Sequence, residues 1–584
     1  MTKIFQYMKP YTPMIICAIT LLALEANFAL ILPGYMADIV NDGVLAGNVA
    51  LIWRIGARML LITLLSVTAA LTMSYLGAKI STGVANDLRA ALFKKVLHFS
   101  SAELNKFSTS SLITRTTNDI TQVQAILMMS MRLLIYSPIM GVGGVIRAVN
   151  RSAPMAWVVM IATLTMVALM AALFIVVLPK FQKVQSLIDR LNLVSRENLS
   201  GILIVRAFNT QLFERKRFAK ANKDLADTNL FVDQSFAFMM PSIMLIMNVT
   251  SAVIVWVGAH HASAFRIDIG DIFAFLQYGM LIISAFLMLA VVFVYLPRAY
   301  VSAERIKEVL ETESSLLYKE NTIPLPSDFK GLVEFRDVEF RYPDATADDD
   351  PVLQNISFSA LPGKITAIIG ATGSGKTTVF KLLLRFYDVS GGGIYLDGID
   401  VRDIHKEELH DKIGYVPQKA VLFTGDIRSN LVYADKEASE ETVKRAADIA
   451  QATPIIEEKP DGYESNVAQG GTNLSGGQRQ RLSIARALVK NAPINLFDDS
   501  FSALDAKTDA ALRASLKKNT KDQTMIAIAQ KISSIMDADN IIVLDQGKIV
   551  GQGTHFELMA SNEIYREIAS SQLSESQLDR EVST

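Results

Sequence analysis

The first 300 residues are dominated by long apolar runs, each close to the roughly 20 residues that cross a bilayer as a helix. Six stand out, near 12–33, 56–79, 125–149, 154–178, 236–262 and 271–297, and they predict six transmembrane helices. Short loops join runs one and two, three and four, and five and six, whereas residues 80–124 and 179–235 separate the pairs. In these longer stretches Val84, Leu88, Leu92 and Val96 recur at helical spacing, and Leu191, Val194 and Leu199 do so more loosely. Few breakers interrupt them, so the pattern predicts helices that leave the bilayer and continue beyond it. From about residue 331 short β-rich runs such as Ile365–Ile369 alternate with helical periodicity, which predicts an α/β sheet domain. The expected division is a membrane domain over 1–310, a linker over 311–330, an α/β domain over 331–570 and a Ser- and Glu-rich tail over 571–584.

Charge orients the spans. The long loops carry Arg89, Lys94, Lys95, Lys106 and Arg115, then Lys180, Lys183, Arg215, Lys216, Arg217 and Lys220, whereas 34–53 has no Lys or Arg. The positive-inside rule therefore places the long loops and both termini in the cytoplasm. No small-residue cleavage site follows the first run, which reads as a retained helix rather than a signal peptide. Glu25 and Arg132 fall inside spans, where charges are costly and face a cavity or a partner. Glu25 reads as a candidate cavity residue, and Arg132, near the start of span three, as a snorkelling one. Pro241 permits a kink in span five.

Composition excludes several classes. With 57 basic and 58 acidic residues the net charge is −1, giving no bulk bias toward nucleic acid. A single cysteine, Cys17, rules out an intrachain disulfide and a cysteine-based zinc site. Twenty of the 23 methionines precede residue 320, which again marks the first half as the membrane part.

The chemistry lies in the second half. Gly370-Ala371-Thr372-Gly373-Ser374-Gly375-Lys376-Thr377 follows an apolar strand and opens a helix, with Thr378 next, which is the setting a phosphate-binding P-loop requires. Glycines let backbone N–H groups close around phosphates at a helix N-terminus. Lys376 is expected to reach the β- and γ-phosphates, and the Thr377 hydroxyl to ligate Mg²⁺. Asp498, ending the apolar run 494–497, is the expected Mg²⁺-side carboxylate. Asn495 inside that run needs a buried partner. Leu474-Ser475-Gly476-Gly477-Gln478 precedes a helical pattern and forms a second candidate anion-binding terminus.

The order P-loop, Tyr415-Val-Pro-Gln418, Leu-Ser-Gly-Gly-Gln, Asp498, then Ser502-Ala503-Leu504-Asp505 resembles an ABC-transporter ATPase domain. With six spans in front, nearly the whole chain resembles an ABC exporter half-transporter. The resemblance implies ATP and Mg²⁺ as cofactors. It implies that Tyr342, in Phe340-Arg-Tyr-Pro343, stacks on adenine, and that Gln418 touches Mg²⁺ and relays to the membrane domain. Leu474 to Gln478 would contact ATP held by an opposing subunit, and the D-loop Ser502–Asp505 would cross that interface. Two cytoplasmic runs, Phe107–Asp119 and Arg206–Phe208 with Glu214–Phe218, resemble coupling helices.

Two positions depart from the family pattern. Asp499 stands where a glutamate usually activates water, one methylene shorter, and Gln530 stands where a histidine usually meets the γ-phosphate. Misplacing a base can cost on the order of 10²-fold, and glutamine cannot become cationic. A smaller mismatch is Val467-Ala-Gln-Gly-Gly471, which lacks the glutamate often found before the signature. The pattern resembles the degenerate half of a heterodimeric multidrug-type exporter in a bacterial cell membrane. Its partner would be a homologous half-transporter, and its cargo amphipathic compounds, drug-like or lipid. A homodimer with two slow sites, a lipid flippase and an ATP-gated channel or regulator are the alternatives.

Overall fold

A computed structural model of the chain describes residues 2–264, 267–316, 318–319, 321–345 and 350–572, so most of the expected tail lies outside the described residues. The chain divides into two compact units, one of residues 1–97 and 108–312, the other of 98–107 and 313–584.

The first unit is helical. Its long helices are α1 (Thr12–Asp38), α2 (Val49–Leu97), α4 (Ile120–Arg151), α5 (Ala153–Ser200), α6 (Gln211–Ser263) and α7 (Ile269–Glu311), with α3 (Ser101–Phe107) intervening in sequence. Six helical segments among the described residues are long and apolar enough to cross a membrane. Helices α2, α5 and α6 run to about 50 residues, so they exceed the bilayer, and in α2 the extension carries the helical spacing of Val84, Leu88, Leu92 and Val96. Pro33, Pro138, Pro179 and Pro241 all sit inside helices. Ala26, Leu30, Met140, Met155, Phe275 and Ile282 form the core of the bundle. At Gly144 α4 and α7 pack closely, and a Cβ there would lie 2.5 Å from the tip of the Ile282 side chain.

Polar groups in this unit meet one another. Arg151 bridges Asp38 at 2.8 Å and Asp271 at 2.7 Å, tying the ends of α1 and α4 to the start of α7. Arg132 does not stand alone as a snorkelling residue: its guanidinium lies 3.5 Å from Glu25 and donates to Ser74 at 3.4 Å. The other Glu25 oxygen is buried without a hydrogen-bond partner.

Among the described residues the second unit has twelve strands: β1 (Val333–Phe340), β2 (Leu353–Ala360), β3 (Ile365–Gly370), β4 (Gly391–Leu396), β5 (Ile399–Asp400), β6 (Ile413–Val416), β7 (Gly425–Asp426), β8 (Asn466–Val467), β9 (Ile494–Asp498), β10 (Thr524–Ile528), β11 (Asn540–Asp545) and β12 (Lys548–Gly553). Six form a sheet in the order β12-β11-β3-β10-β9-β6, parallel from β11 to β6, and four form a second sheet, β2-β1-β4-β5. Strand β9 is buried throughout, as a parallel strand covered on both faces must be. Asn495 within it donates from Nδ2 to Ala492 O at 3.1 Å and Gln523 Oε1 at 2.9 Å, whereas its Oδ1 is buried without a hydrogen-bond partner.

The short helix α3 belongs to this second unit. Asn105 donates to the Tyr387 hydroxyl at 3.1 Å. Glu103 accepts from the backbone N–H groups of Ser100 at 2.7 Å and Ser315 at 3.1 Å. Burial pushes the Glu103 carboxyl up, but these hydrogen bonds outweigh it and hold it below its usual value. The segment packed into the second unit is thus 98–107, one short helix ahead of the run Ser110–Asp119 that resembles a coupling helix.

Candidate functional site

Parallel pairing of β3, β10 and β9 brings three strand ends to one edge of the sheet. The P-loop leaves the end of β3 and closes onto α8 (Lys376–Leu383). Gly375 caps α8 with φ 96°, a left-handed conformation that favours glycine, and a Cβ there would lie 2.7 Å from Leu353. Ala371, Thr372 and Gly373 are exposed at the loop's crest, and Ser374 Oγ is buried without a hydrogen-bond partner. Lys376 Nζ donates to the carbonyls of Gly370 at 2.8 Å and Ala371 at 2.7 Å. Burial lowers its pKa, opposed by the charges of Asp499 and Asp498.

At the end of β9, Asp498 Oδ1 accepts from Thr377 Oγ1 at 3.1 Å, while Oδ2 is buried without a partner. Burial, opposed by the Thr377 hydrogen bond, raises the Asp498 pKa to about 6. A hydroxyl and an unsatisfied carboxylate oxygen side by side are hard donors of the type Mg²⁺ takes alongside phosphate oxygens. These residues therefore fit the ion.

Asp499 is held in an unusual way. Its φ is 48°, left-handed for a non-glycine residue, and its N–H donates to Ile528 O at 2.9 Å. One carboxylate oxygen, Oδ2, accepts from two amides: Gln530 Nε2 at 2.9 Å and Gln418 Nε2 at 3.3 Å. The two departures from the family pattern thus touch each other. Gln530 is itself fixed from behind, because Gln572, at the end of α11 (Glu563–Gln572), donates to Gln530 O and accepts from Ile532 N, both at 2.9 Å.

Tyr342 joins this cluster through Thr378, their hydroxyls 3.0 Å apart, and its ring packs edge-on against Phe340 and Tyr387. The structure therefore gathers Tyr342, the P-loop, Gln418, Asp498, Asp499 and Gln530.

The remaining candidates form a second cluster. Ser475 caps α9 (Gly476–Val489) in a reciprocal box with Gln478, the two bonds measuring 3.2 and 3.0 Å. Gly477 lies against the D-loop, where a Cβ would meet Ala503 O at 3.2 Å. Asp505 caps α10 (Ala506–Asn519), accepting from Thr508 N at 3.0 Å. Leu474 and Leu504 are buried, whereas Ser475, Gly476, Ser502, Ala503 and Asp505 are exposed. No hydrogen bond among those of the described residues joins Ser475, Gly476, Gly477 or Gln478 to the P-loop. Gln572 and α3 were not singled out by sequence reasoning, and no motif marks either.

A P-loop on a parallel sheet, backed by a strand-end aspartate and joined to six membrane-length helices, defines a membrane-bound nucleotide-driven machine. Residues 14–286 match the family model of the ABC transporter transmembrane region, and 353–502 that of the ABC transporter. The chain is 41% identical over 97% of its own and the relative's length to an uncharacterised ABC transporter ATP-binding protein of Mycobacterium tuberculosis. It is 32% identical to an ATP-dependent lipid A-core flippase of Pseudomonas aeruginosa, covering 96% of this chain and 94% of that one. A solved bacterial Atm1-family ABC exporter with ATP bound superposes with a TM-score of 0.79 at 25% identity, covering 97% and 99% of the two chains. The chain belongs to the ABC transporter family. It is a multi-pass exporter half-transporter whose membrane domain is fused to an ATP-binding, ATP-hydrolysing domain.

Proposed function

We propose that the chain is one half of a two-chain exporter, that it holds ATP at a site of low hydrolytic competence, and that it lends its signature to a homologous partner's site. The observation that carries this reading is the pair of amides on Asp499 Oδ2. A base must accept a proton from water through a lone pair within about 2.6–3.2 Å. Here both donors compete for that oxygen, and the side chain is already one methylene short of the family's glutamate. Gln530, committed to Asp499, is drawn away from a γ-phosphate.

In this reading the P-loop amides and Lys376 hold the phosphates, and Tyr342 packs against adenine. Thr377, Asp498 and Gln418 hold Mg²⁺, which would neutralise phosphate charge. Leu474 to Gln478 and the D-loop Ser502–Asp505 face the partner, in keeping with the exposure of Ser475, Gly476, Ser502, Ala503 and Asp505. Both termini lie in a bacterial cytoplasm. The cargo is an amphipathic compound, and among such compounds a lipid is favoured by relatives named as lipid A-core flippases.

The test is ATP turnover of the full chain alone and mixed with its homologous half. The expected result is that Asp499→Asn changes the pair's turnover by less than about twofold, whereas glutamine at the partner's catalytic glutamate lowers it about 10²-fold or more. Turnover by the chain alone that Asp499→Asn abolishes would instead make this a homodimer with an aspartate base.

A further inference from the structure

One face of the six-stranded sheet is covered without a break: Ile368, Ile526, Ile528 and Ile542 belong to a single core. The opposite face is covered by two separate cores. One gathers Met525 and Ala527 with Phe501, Leu512 and Leu516, and the other gathers Ala367 and Ile369 with Ile535 and Ala538. The seam between them runs over Ala367 and Ala527, which are register partners on adjacent parallel strands. Two methyl groups side by side cannot fill the height that a helix leaves above a sheet. A cavity of about 340 Å³ opens there, within the size range of small-molecule pockets.

Its floor is Ala367 and Ala527, and its walls include Met525 and Ile535. Its rim carries Arg513 and Lys517 from α10. Arg513 Nη1 donates to Asp537 at 3.1 Å, and Arg513 Nε, 3.4 Å from Asp509, is buried without a hydrogen-bond partner. Lys517 makes no ion pair among those of the described residues. The rim acid Asp537 is engaged by Arg513. The opening therefore offers an apolar floor, a lysine with no ion pair among those of the described residues, and a guanidinium whose Nε has no hydrogen-bond partner.

We propose that this cavity binds an amphipathic monoanion, an acyl chain ending in a carboxylate. Its chain lies over Ala367 and Ala527, and its head meets Lys517 with Arg513 beside it. A neutral amphiphile would leave Lys517 unused, and a dianion would exceed what Lys517 alone balances, since Arg513 already faces Asp509 and Asp537. The position has a consequence for the ATPase. One wall is Phe501, next to Ser502 of the D-loop, and another is the segment Ser534–Ala538, which follows Gln530. An occupant thus wedges between the two stretches that lead to the interface and to Asp499. The site is independent of what the membrane domain carries.

The experiment uses the full-length protein in lipid nanodiscs and a diazirine-bearing decanoate, with labelled peptides mapped after irradiation. The expected label lies in peptides spanning 501–517 and 524–538. Excess decanoate should compete with it and decanol should not. Lys517→Glu should lower the yield about fivefold, the scale of one exposed charge interaction reversed. Ala514→Leu, at an exposed position on the rim, should lower it comparably by narrowing the mouth. Both substitutions are on the solvent side of α10, and unchanged melting temperatures would show that the fold is kept. Label confined to the membrane helices would overturn the proposal. So would equal competition by decanol with no effect of Lys517→Glu, since the cavity would then be an apolar gap without head-group recognition.

Discussion

The two clusters of the ATPase domain differ in how far they are satisfied by their own chain. Around the P-loop, hydrogen bonds turn inward: Thr377 to Asp498, Gln418 and Gln530 to Asp499, Gln572 to the backbone of Gln530. Around the signature they fix only the frame. The box between Ser475 and Gln478 and the Asp505 cap set two helix ends, while Ser475, Gly476 and Asp505 stay exposed and a Cβ on Gly476 would meet open space. The amides of a helix's first turn have no partner within the helix. The P-loop cluster is self-contained, with Asp499 already engaged by two amides. The signature cluster is an exposed surface held between two capped helix ends. That contrast is what the proposed division of labour rests on: the chain departs from the family pattern at Asp499 and Gln530 and keeps it at Leu474 to Gln478.

The largest effect should come from spoiling the signature. Gly477→Glu places a carboxylate at an anion-binding helix terminus, in a position where even a Cβ approaches Ala503 O at 3.2 Å. The turnover of the chain with its partner should fall about 10²-fold, comparable with losing an oriented donor to a developing charge. ATP binding at this chain's own P-loop, read by photolabelling with azido-ATP, should be unchanged. Loss of both together would break the distinction between the clusters.

Much of this was legible in the sequence, and the rest fails for identifiable reasons. The P-loop, Gln418, Asp498 and the signature are local motifs, and apolar run length exposes the six spans. The contact between Gln530 and Asp499 is not local. It depends on β9 and β10 being neighbours with Asp498 opposite Ile528, a register no single stretch encodes. Helix α3 escaped because Ser100, Glu103 and Asn105 look like a solvated turn. Only Ser315 and Tyr387, over 200 residues away, reveal that their polar groups are used. The approach of Arg132 to Glu25 was not legible, because a snorkelling arginine and one that also faces a carboxylate on another helix have the same sequence signature.

A medium effect concerns the metal. The Asp498 pKa is about 6, raised chiefly by burial from an ordinary value near 4. Mg²⁺ needs the ionised form, so a proton competes with it below pH 6. Between pH 7.5 and 5.5 the affinity for Mg²⁺ at the nucleotide site should fall about fourfold, after allowance for the nucleotide's own titration. The stability effect has a defined sign. A carboxyl with a raised pKa contributes stability below about pH 4 and loses that contribution as the pH rises through 6. Mg²⁺ with ATP should therefore raise the melting temperature more at pH 7.5 than at pH 5.5. Equal shifts at both values would remove Asp498 from the metal site and weaken the account of the inward-facing cluster.

The smallest effect tests whether the signature cluster is a frame in the chain alone. Ser475 Oγ satisfies the N–H of Gln478, and Gln478 Oε1 answers with the N–H of Ser475. Ser475→Ala removes one of these bonds and should cost about 1 kcal/mol, the usual worth of an N-cap. Ser475→Thr keeps the acceptor and should cost only a few tenths. Urea unfolding of the full chain, without partner or nucleotide, reads the difference directly. If alanine and threonine prove equal, the box is not set by this chain alone and forms only when a partner arrives. The signature would then be assembled at the interface, and the contrast between an inward-satisfied site and a ready surface would be lost.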